Sequence, residues 1–388
     1  MIHQILSDID NNSKGEVNAI LATLFDWKEA FPRQCPKLGI EAFMKCGVRP
    51  SLIPSLINYF QNRSMKVKWH GVKSTERKLN GSGPQGSTFG VWEYLAQSND
   101  NANCVPVNYR YKFVDDLTVL EKINLITVGL TSFNFKSSIP SDIPVDYQFI
   151  PPENLNTTQY IEDIKKWTYE KKMKLNEKKT KIMIFNSTKN YQFTTRLKLN
   201  NENVEIVNSS KLLGTIITDN LTWDANTDYL VKKAYARMQL LSKVSTFTSS
   251  KEEKKEIYIL FVRSILEQSC VVWHSSLTEE NSNDFERVQK SALKIILANE
   301  YKDYDQALLQ LNLDSLKTRR EELCKNFAFK CLNNDKTESF FPLNKKKHPM
   351  GTKKPEKFKV KHANTTRLQK TAIPYMQKIL NTNKLLSL

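Results

Sequence analysis

The stretch Tyr111-Lys112-Phe113-Val114-Asp115-Asp116-Leu117-Thr118 is the part of the chain on which the fold prediction depends. Before the two aspartates, aromatic and basic residues alternate with a period of two, which is typical of a β-strand. After them, the apolar residues that follow are suited to a second strand. Asp115 and Asp116 fall between the two runs. The stretch therefore predicts a β-hairpin with two carboxylates at its tip.

A third aspartate follows another predicted strand. In Phe25-Asp26-Trp27-Lys28-Glu29-Ala30-Phe31, Asp26 comes directly after the apolar run Leu21–Phe25, which reads as a short buried strand. A bare Asp-Asp pair is usually an ordinary turn. Here we expect Asp26 to lie close to Asp115, because carboxylates from separate strands can converge over one sheet.

Carboxylates in such a cluster are suited to binding divalent cations. Mg²⁺ is a hard ion that prefers oxygen ligands and often shares them with substrate phosphates. Two such ions about 3.5–4 Å apart can hold the attacking and leaving oxygens of an in-line phosphoryl displacement. We expect Asp26 and Asp115 to bind both ions and Asp116 to be an auxiliary carboxylate. Without metal, neighbouring like charges should raise the pKa of the cluster.

Composition indicates the class of partner. The chain has 388 residues, 58 Lys and Arg against 41 Asp and Glu, and a formal net charge of +17. Such an excess favours a polyanionic partner, nucleic acid first and a membrane surface second. The six cysteines form no CxxC pair, which argues against a zinc site. The low cysteine fraction, with no secretory apolar region at the N-terminus, favours a reducing, intracellular compartment such as the nucleus or cytoplasm. No apolar run approaches the roughly eighteen residues that span a bilayer.

The rest of the first half mixes helices and strands. Gly81-Ser82-Gly83-Pro84-Gln85-Gly86-Ser87 predicts a loop whose backbone can approach a ligand closely. The other predicted features are two helical pieces in 36–62, a strand over 65–70 turning at Gly71, a helix through Val91, Tyr94 and Leu95, a surface loop over 133–158, a helix over 159–173, a strand over 181–185 and a hairpin over 195–208. The predicted fold class is α+β.

From about residue 224 the apolar period becomes helical. Three helical stripes are predicted: Leu230, Ala234, Met238 and Leu241; Ile257, Leu260, Phe261 and Ile265; Phe285, Val288, Ala292 and Ile296. From residue 343 the chain is rich in lysine, which is more often a solvated tail than a specific site but can add phosphate contacts.

Five sequence blocks carry a resemblance to a known family. FDWKEAF, GSGPQGSTFG, YKFVDDL, WTYEKKMKLNEKKTKIMIF and SSKLLGTIITDNLTW occur in this order. They resemble the successive blocks of reverse transcriptases, which are RNA-directed DNA polymerases, from non-LTR (LINE-type) retrotransposons. Phe261-Val262-Arg263-Ser264-Ile265-Leu266-Glu267, Val272-Trp273-His274 and 285–293 are similar to the thumb and C-terminal region of these elements.

The resemblance implies a right-hand polymerase that extends a DNA primer on an RNA template, using dNTP and two Mg²⁺ ions, with Mn²⁺ as a substitute. It implies an antiparallel palm sheet with helices and partial fingers over 1–190, the end of the palm with a primer-grip hairpin over 191–223, a helical thumb-like domain over 224–342 and a basic tail over 343–388. No membrane is expected to take part.

The resemblance also implies roles for residues of the matching blocks. Asp26, Asp115 and Asp116 correspond to the catalytic, metal-binding triad. Phe31 corresponds to the aromatic residue that discriminates the sugar, although a core aromatic is an equally good interpretation of the sequence. The remaining implied positions are Gly83, Pro84, Gln85 and Gly86 at the template and nascent base pair, Lys179 or Lys181 near the triphosphate, and Leu212-Leu213-Gly214 in the primer grip.

Two departures from the family pattern leave alternatives open. The family commonly has a second aspartate after the Ala-Phe of the first block, where this chain has Pro32. Only 25 residues precede Asp26, where family members have a long fingers region, and no endonuclease domain precedes it. These features predict an N-terminally truncated copy. The alternative is therefore a catalytically inactive remnant that only binds nucleic acid; an RNA-templated RNA polymerase fits the blocks less well.

Overall fold

The computed structural model describes residues 1–10, 18–79, 81, 87–124, 147–186, 192–247, 250–344, 357–360 and 362–382. The chain divides into two compact units. The first unit is Ser13–Val207 together with Met1, and the second is Ile2–Asn12 together with Asn208–Leu388. The predicted α+β composition is confirmed, because helices and strands both contribute. The finer division into four domain ranges stays a prediction.

The helices lie in both units. Their bounds are α1 (Ile2–Asp10), α2 (Pro36–Lys45), α3 (Ile53–Phe60), α4 (Thr88–Ser98), α5 (Asn156–Glu170), α6 (Asp224–Val244), α7 (Lys251–Ile257), α8 (Ser264–Leu266), α9 (Cys270–Trp273), α10 (Glu279–Leu297), α11 (Tyr304–Leu311), α12 (Leu316–Leu332), α13 (Thr366–Gln369) and α14 (Ala372–Thr382). A π-helix, Tyr258–Arg263, joins α7 to α8. No helix in the described ranges is both long and apolar enough to cross a bilayer.

Most of the strands belong to the first unit. Their bounds are β1 (Asn18–Phe25), β2 (Ser64–Met65), β3 (Lys68–Trp69), β4 (Val72–Lys73), β5 (Arg77–Lys78), β6 (Arg110–Phe113), β7 (Asp116–Asn124), β8 (Tyr147–Ile150), β9 (Lys181–Asn186), β10 (Gln192–Thr195), β11 (Lys198–Leu199), β12 (Glu202–Asn203), β13 (Glu205–Ile206), β14 (Ser209–Leu212) and β15 (Thr215–Thr218).

The central sheet of the first unit has the strand order β13-β9-β1-β7-β6. β1 pairs antiparallel with β7 on one side and with β9 on the other, whereas β13 pairs parallel with β9. β1 lies in the middle of the sheet, and its residues 19–23 and 25 are buried on both faces. This position explains why its sequence is a continuous apolar run rather than an alternation. The predicted strand directly before Asp26 is confirmed, and it begins at Asn18 rather than at Leu21.

The loop predicted over 133–158 is wrong in its described part. Tyr147–Ile150 is a strand that pairs parallel with β10, and α5 begins at Asn156. The carboxylate of Glu121 on β7 accepts hydrogen bonds from the backbone N–H groups of Asn156 and Thr157, at 2.7 and 2.8 Å. A carboxylate at a helix N-terminus satisfies donors that have no partner within the helix. Residues 133–146 lie outside the described part of the chain.

The second unit is mainly helical, and two of its three predicted stripes are confirmed. The stripe that begins at Leu230 on α6 and the stripe that begins at Phe285 on α10 are buried in one core. The middle stripe is wrong at Leu260 and Phe261, which are 64% and 45% exposed while Tyr258 and Val262 are fully buried. Its end residues, Ile257 and Ile265, do contact the core. The segment is a π-helix, whose wider turn shifts the buried face relative to the 3.6-residue period.

The C-terminal segment differs from the solvated tail that its lysines suggest. Within 357–382 the chain forms α13 and α14. Phe358, Met376 and Leu380 are buried in a cluster with Ala328 and Phe341. Apolar side chains spaced between the lysines therefore anchor this segment. Lys345–Lys347, Lys353, Lys354 and Lys361 lie outside the described residues.

Candidate active site

Three aspartates lie close together at the ends of neighbouring strands of the central sheet, an end that we call the acidic edge. The register pairs Phe25 of β1 with Leu117 of β7, so the next residue, Asp26, lies beside Asp116. Phe113 pairs with Asp116, and Val114 and Asp115 form the two-residue turn between β6 and β7. The structure thus brings Asp26 to the tip of the hairpin that carries the other two carboxylates, as the sequence leads us to expect.

The hairpin turn holds its backbone in an unfavourable conformation. Val114 has a φ of 53°, in the left-handed region. A β-branched residue is a true outlier there, and such strain costs on the order of 1–3 kcal/mol. Asn or Gly is the usual residue at a turn position of this kind. Strained residues of this type cluster at functional sites, so the turn is itself an indication of a site.

The three carboxylates lie within one another's electric field. The pKa of Asp116 is raised, first by partial removal of water around it and then by the charges of Asp115 and Asp26. Burial raises the pKa of the Tyr94 hydroxyl, and the charges of Asp115 and Asp116 raise it further. The side chain of Asp116 is partly exposed to solvent, whereas Tyr94 on α4 is buried. Negative charge is therefore concentrated at this edge.

A pocket of about 160 Å³ opens beside the hairpin. Its walls come from the hairpin, from the C-terminal end of α4 and from the residue after Asp26. The lining residues are Trp27, Leu95, Ser98, Asn99, Asn101, Lys112, Val114, Asp115, Asp116 and Leu117. The pocket thus contains two of the three carboxylates and one amine.

Lys112 is a site residue for which the sequence gives no role beyond strand alternation. Its Nζ donates hydrogen bonds to the backbone carbonyls of Asn99 and Asn101, at 2.8 and 3.0 Å, and to Ser98 at 3.4 Å. Ser98 is the last residue of α4, and Asn99 and Asn101 follow it, so the amine lies at the C-terminal end of the helix, where a cation is favoured. Burial, with a smaller effect from the charge of Arg110, lowers the pKa of Lys112 to about 8. Lys112 therefore fixes the hairpin against α4.

The segment before β9 holds the backbone of Asp26. The Asp26 N–H donates to Thr180 Oγ1 at 3.3 Å, and the Asn176 N–H donates to the Asp26 carbonyl at 2.8 Å. An isolated bridge pairs Trp27 with Leu175. Two of the sequence blocks, FDWKEAF and WTYEKKMKLNEKKTKIMIF, are thus in direct contact. Thr180 has no signal in the sequence that would have identified this contact.

The two lysines considered for the triphosphate flank Thr180. Lys181 pairs with Leu24 across the sheet, and its Nζ lies 3.5 Å from a carboxylate oxygen of Glu205. Lys179 is exposed, and no ion pair to it occurs among the described residues. The structure therefore distinguishes two lysines that the sequence could not. Lys181 has an acidic neighbour, whereas the ammonium group of Lys179 has no acidic partner among the described residues.

Phe31 contacts the aromatic residue beneath the site. Its ring lies 5.3 Å from the ring of Tyr94, centroid to centroid, and Phe31 is partly buried against the core of the first unit. Both interpretations of Phe31 therefore keep support, since one part of the ring packs on the core and another part reaches the surface. Its role as a sugar-discriminating residue stays a prediction.

The Leu212-Leu213-Gly214 turn belongs to the second unit. Leu213 and Gly214 have φ values of 46° and 83° and connect β14 to β15 in a two-residue hairpin. Two positive φ values are typical of a type I′ turn, for which glycine is favoured. Leu213 is 51% exposed. Gly83, Pro84, Gln85 and Gly86 lie outside the described residues.

The ligand atoms of the site fit Mg²⁺, which prefers carboxylate oxygens. Without a cation the three carboxylates repel one another, and a bound cation would offset this repulsion. Across the described ranges, however, no three His, Cys, Asp or Glu side chains already form a group that could hold a metal ion. The aspartates are thus near neighbours rather than a closed ligand set. The fold and site define an α+β protein with an acidic site at a sheet edge.

The chain matches no protein-family model and no curated protein.

Proposed function

We propose that the chain is an RNA-directed DNA polymerase, a reverse transcriptase of the non-LTR retrotransposon type, and that its first unit is the palm with partial fingers. The observation that carries the proposal is the meeting of Asp26 with Asp115 and Asp116 at the ends of adjacent strands. A phosphoryl-transfer site needs carboxylates from separate strands at one point. The resemblance of five ordered blocks supports the same assignment.

The reaction is nucleotidyl transfer. The 3′-hydroxyl group of the primer loses its proton to solvent, and its oxygen forms a bond to the α-phosphorus of a dNTP. The bond from the α-phosphorus to the α–β bridging oxygen breaks, and pyrophosphate leaves with that oxygen. Asp26 and Asp115 are the residues that would hold two Mg²⁺ ions, with Asp116 beside them. Bound there, the ions supply charge stabilisation for the attacking and leaving oxygens. Backbone contacts position Asp26 and Asp116, and Asp115 lies in the two-residue turn between the paired strands β6 and β7.

Other residues of the first unit would position the substrates. Lys179 is better suited than Lys181 to bind a triphosphate, because Lys181 lies beside the carboxylate of Glu205. Phe31, whose ring packs against Tyr94, would contact the sugar of the incoming nucleotide. The net charge of +17 favours an RNA template and a DNA primer, and binding should weaken steeply as salt rises.

The test is primer extension by the wild type and by Asp115→Asn, side by side on an RNA template, first with Mg²⁺ and then with Mn²⁺. The variant keeps the size of the side chain but loses its charge. We expect extension to fall by roughly 1,000-fold or more, because charge stabilisation is the main catalytic contribution in phosphoryl transfer. Duplex affinity should stay equal or rise slightly, since one negative charge near the phosphates is removed.

A matched control is Glu170→Gln. Glu170 is an exposed carboxylate at the end of α5 in the same unit and does not line the pocket. This variant should extend primers like the wild type. Extension by Asp115→Asn at the wild-type rate would refute the proposed site.

A second candidate is a nucleic-acid-binding protein without polymerase activity. It is favoured by one observation, that Pro32 stands where the resembling family commonly has a second aspartate. In the same assay this candidate predicts background extension from both the wild type and Asp115→Asn, together with tight, salt-dependent duplex binding.

A further inference from the structure

The segment 64–78 forms a narrow β-ribbon that we call the basic arm. β3 and β4 pair at its tip, and β2 and β5 pair at its base. His70 and Gly71 connect β3 to β4 with φ values of 44° and 83°, as expected for a tight type I′ turn. Every residue from 64 to 78 is exposed. The basic arm therefore has no hydrophobic core of its own.

One face of the basic arm is apolar. Trp69 and Val72 are directly opposite each other across the ribbon and are 74% and 73% exposed. Val67 and Met65, which follow at alternate positions, are 58% and 50% exposed. A two-stranded hairpin is at best marginally stable in water. Arg77 pairs with Met65 on this face at the base of the ribbon, so the apolar surface is centred on Trp69 and Val72 at the tip. An exposed apolar surface on such a ribbon indicates a binding surface rather than a structural one.

The other face of the basic arm carries positive charge. Lys68 and Lys73 are directly opposite each other across the ribbon. Like charges in this arrangement are destabilising. Lys66 is paired with Glu76 at 3.0 Å, and Glu76 is the only acidic residue among five lysines and arginines in 64–78. A polyanion next to Lys68 and Lys73 would replace their repulsion with attraction.

We propose that the basic arm is a binding site for single-stranded nucleic acid, in which a base stacks on Trp69 and phosphates bind Lys68 and Lys73. Base–aromatic stacking beside a basic groove is the usual mode of single-strand binding. A duplex offers its phosphates but hides its base faces. This inference rests on the nucleic-acid-binding part of the proposed function and does not require polymerase chemistry.

The two faces of the basic arm favour a nucleic-acid strand over a membrane surface. A bilayer contacts one side of an element, so the apolar face would be covered while Lys68 and Lys73 remained opposed on the other side. A flexible single strand can follow both sides of a narrow ribbon. The charge and the apolar surface are then satisfied by the same ligand.

The stacking contact is tested by fluorescence anisotropy of a labelled single-stranded oligonucleotide of mixed sequence, with the full chain. Trp69→Ala should weaken binding by roughly 5- to 160-fold, the range for loss of one stacked base. Trp69→Phe should recover much of the affinity, because it keeps an aromatic face. Trp92→Ala is the matched control, since Trp92 is also exposed, at 60%, and lies on α4 outside the basic arm.

The phosphate contact is tested by salt dependence. Replacing Lys68 and Lys73 by Gln should make the slope of log K against log salt less steep by about 1.4, the expected value for two lost phosphate contacts on a single strand. Replacing Lys37 and Lys45 by Gln removes the same charge from exposed positions of α2 in the same unit. A change of equal size in both double variants would overturn the inference.

Further outcomes separate this inference from its alternatives and from the proposed function. If Trp69→Ala weakens binding to vesicles of anionic phospholipid but leaves oligonucleotide binding unchanged, the basic arm is a membrane contact and the inference is overturned. If the wild type fails to extend primers but Trp69→Ala still loses oligonucleotide affinity, polymerase activity is rejected and the basic arm is supported. If the wild type extends primers and Trp69→Ala binds the oligonucleotide unchanged, polymerase activity is supported and the basic arm is rejected.

Discussion

Glu93 on α4 is a buried carboxylate whose ionisation should make the stability of the first unit depend on pH. It is fully buried, and neither of its carboxylate oxygens has a hydrogen-bond partner within the described residues. It packs against α2 at Gly39, where an added Cβ would lie 2.8 Å from Glu93 Oε1. Burial raises the pKa of Glu93 from 4.5 to about 7, and the charge of Arg63 lowers it only in part.

The sign of the effect follows from the direction of this shift. Because the pKa of Glu93 is higher in the folded state, the folded chain binds more protons than the unfolded chain between pH 4.5 and 7. The contribution of Glu93 to the free energy of unfolding therefore falls as pH rises through this window, and its full cost is present above about pH 7. One pKa unit corresponds to about 1.4 kcal/mol, so the difference between about pH 5 and pH 8 is about 2–3 kcal/mol.

Glu93→Gln tests this magnitude because the amide does not ionise. The free energy of unfolding of the variant minus that of the wild type should therefore be about 2–3 kcal/mol larger at about pH 8 than at about pH 5. The measurement is urea denaturation at both pH values, followed by pulsed hydrogen exchange in peptides from β1. This readout reports the first unit, so unfolding of the second unit does not interfere.

The control for Glu93→Gln is Glu170→Gln, which removes an exposed carboxylate from the same unit. It should show the pH dependence of the wild type. Parallel pH profiles for the wild type and Glu93→Gln would refute the assignment of a raised pKa to Glu93.

Three further predictions concern stability measured by denaturation with hydrogen exchange. Glu121→Ala should cost about 2–3 kcal/mol because buried donors at the start of α5 lose their acceptor, whereas Glu121→Gln keeps one oxygen and should cost less. Val262→Ala should cost about 1–3 kcal/mol and Leu260→Ala less than about 0.5, and the reverse order would contradict the π-helix register. Gly214→Ala should cost about 1 kcal/mol through its φ of 83°, and an unchanged midpoint would contradict this.

The contribution of the sequence is clearest at the hairpin that carries Asp115 and Asp116. Strand alternation and turn position are local properties, so the β6–β7 hairpin and the β1 strand before Asp26 could both be predicted. Their meeting could be anticipated because the chemistry requires it. Nothing local predicts that Lys112 closes the end of α4, since that contact depends on the path of the chain between them.

Predictions failed where tertiary contacts override a local period. The stripe through Leu260 assumes about 3.6 residues per turn, and the π-helix departs from that spacing. The loop prediction failed at Tyr147–Ile150, since this short run lies within a stretch rich in Ser, Pro, Asn and Asp and its pairing with β10 is a contact distant in sequence. The basic segment containing Phe358 was interpreted by its charge, although its few apolar residues decide where it packs.

The sequence by itself determined the α+β class, the hairpin with its carboxylates and the basic character that favours nucleic acid. These features follow from residue order and composition, which act over a few positions. Only the tertiary structure decided the pairing of Phe25 with Leu117, the burial of Glu93 and the exposure of both faces of the basic arm. Those properties depend on which distant segments exclude water from a side chain, and a residue's neighbours in sequence do not specify that.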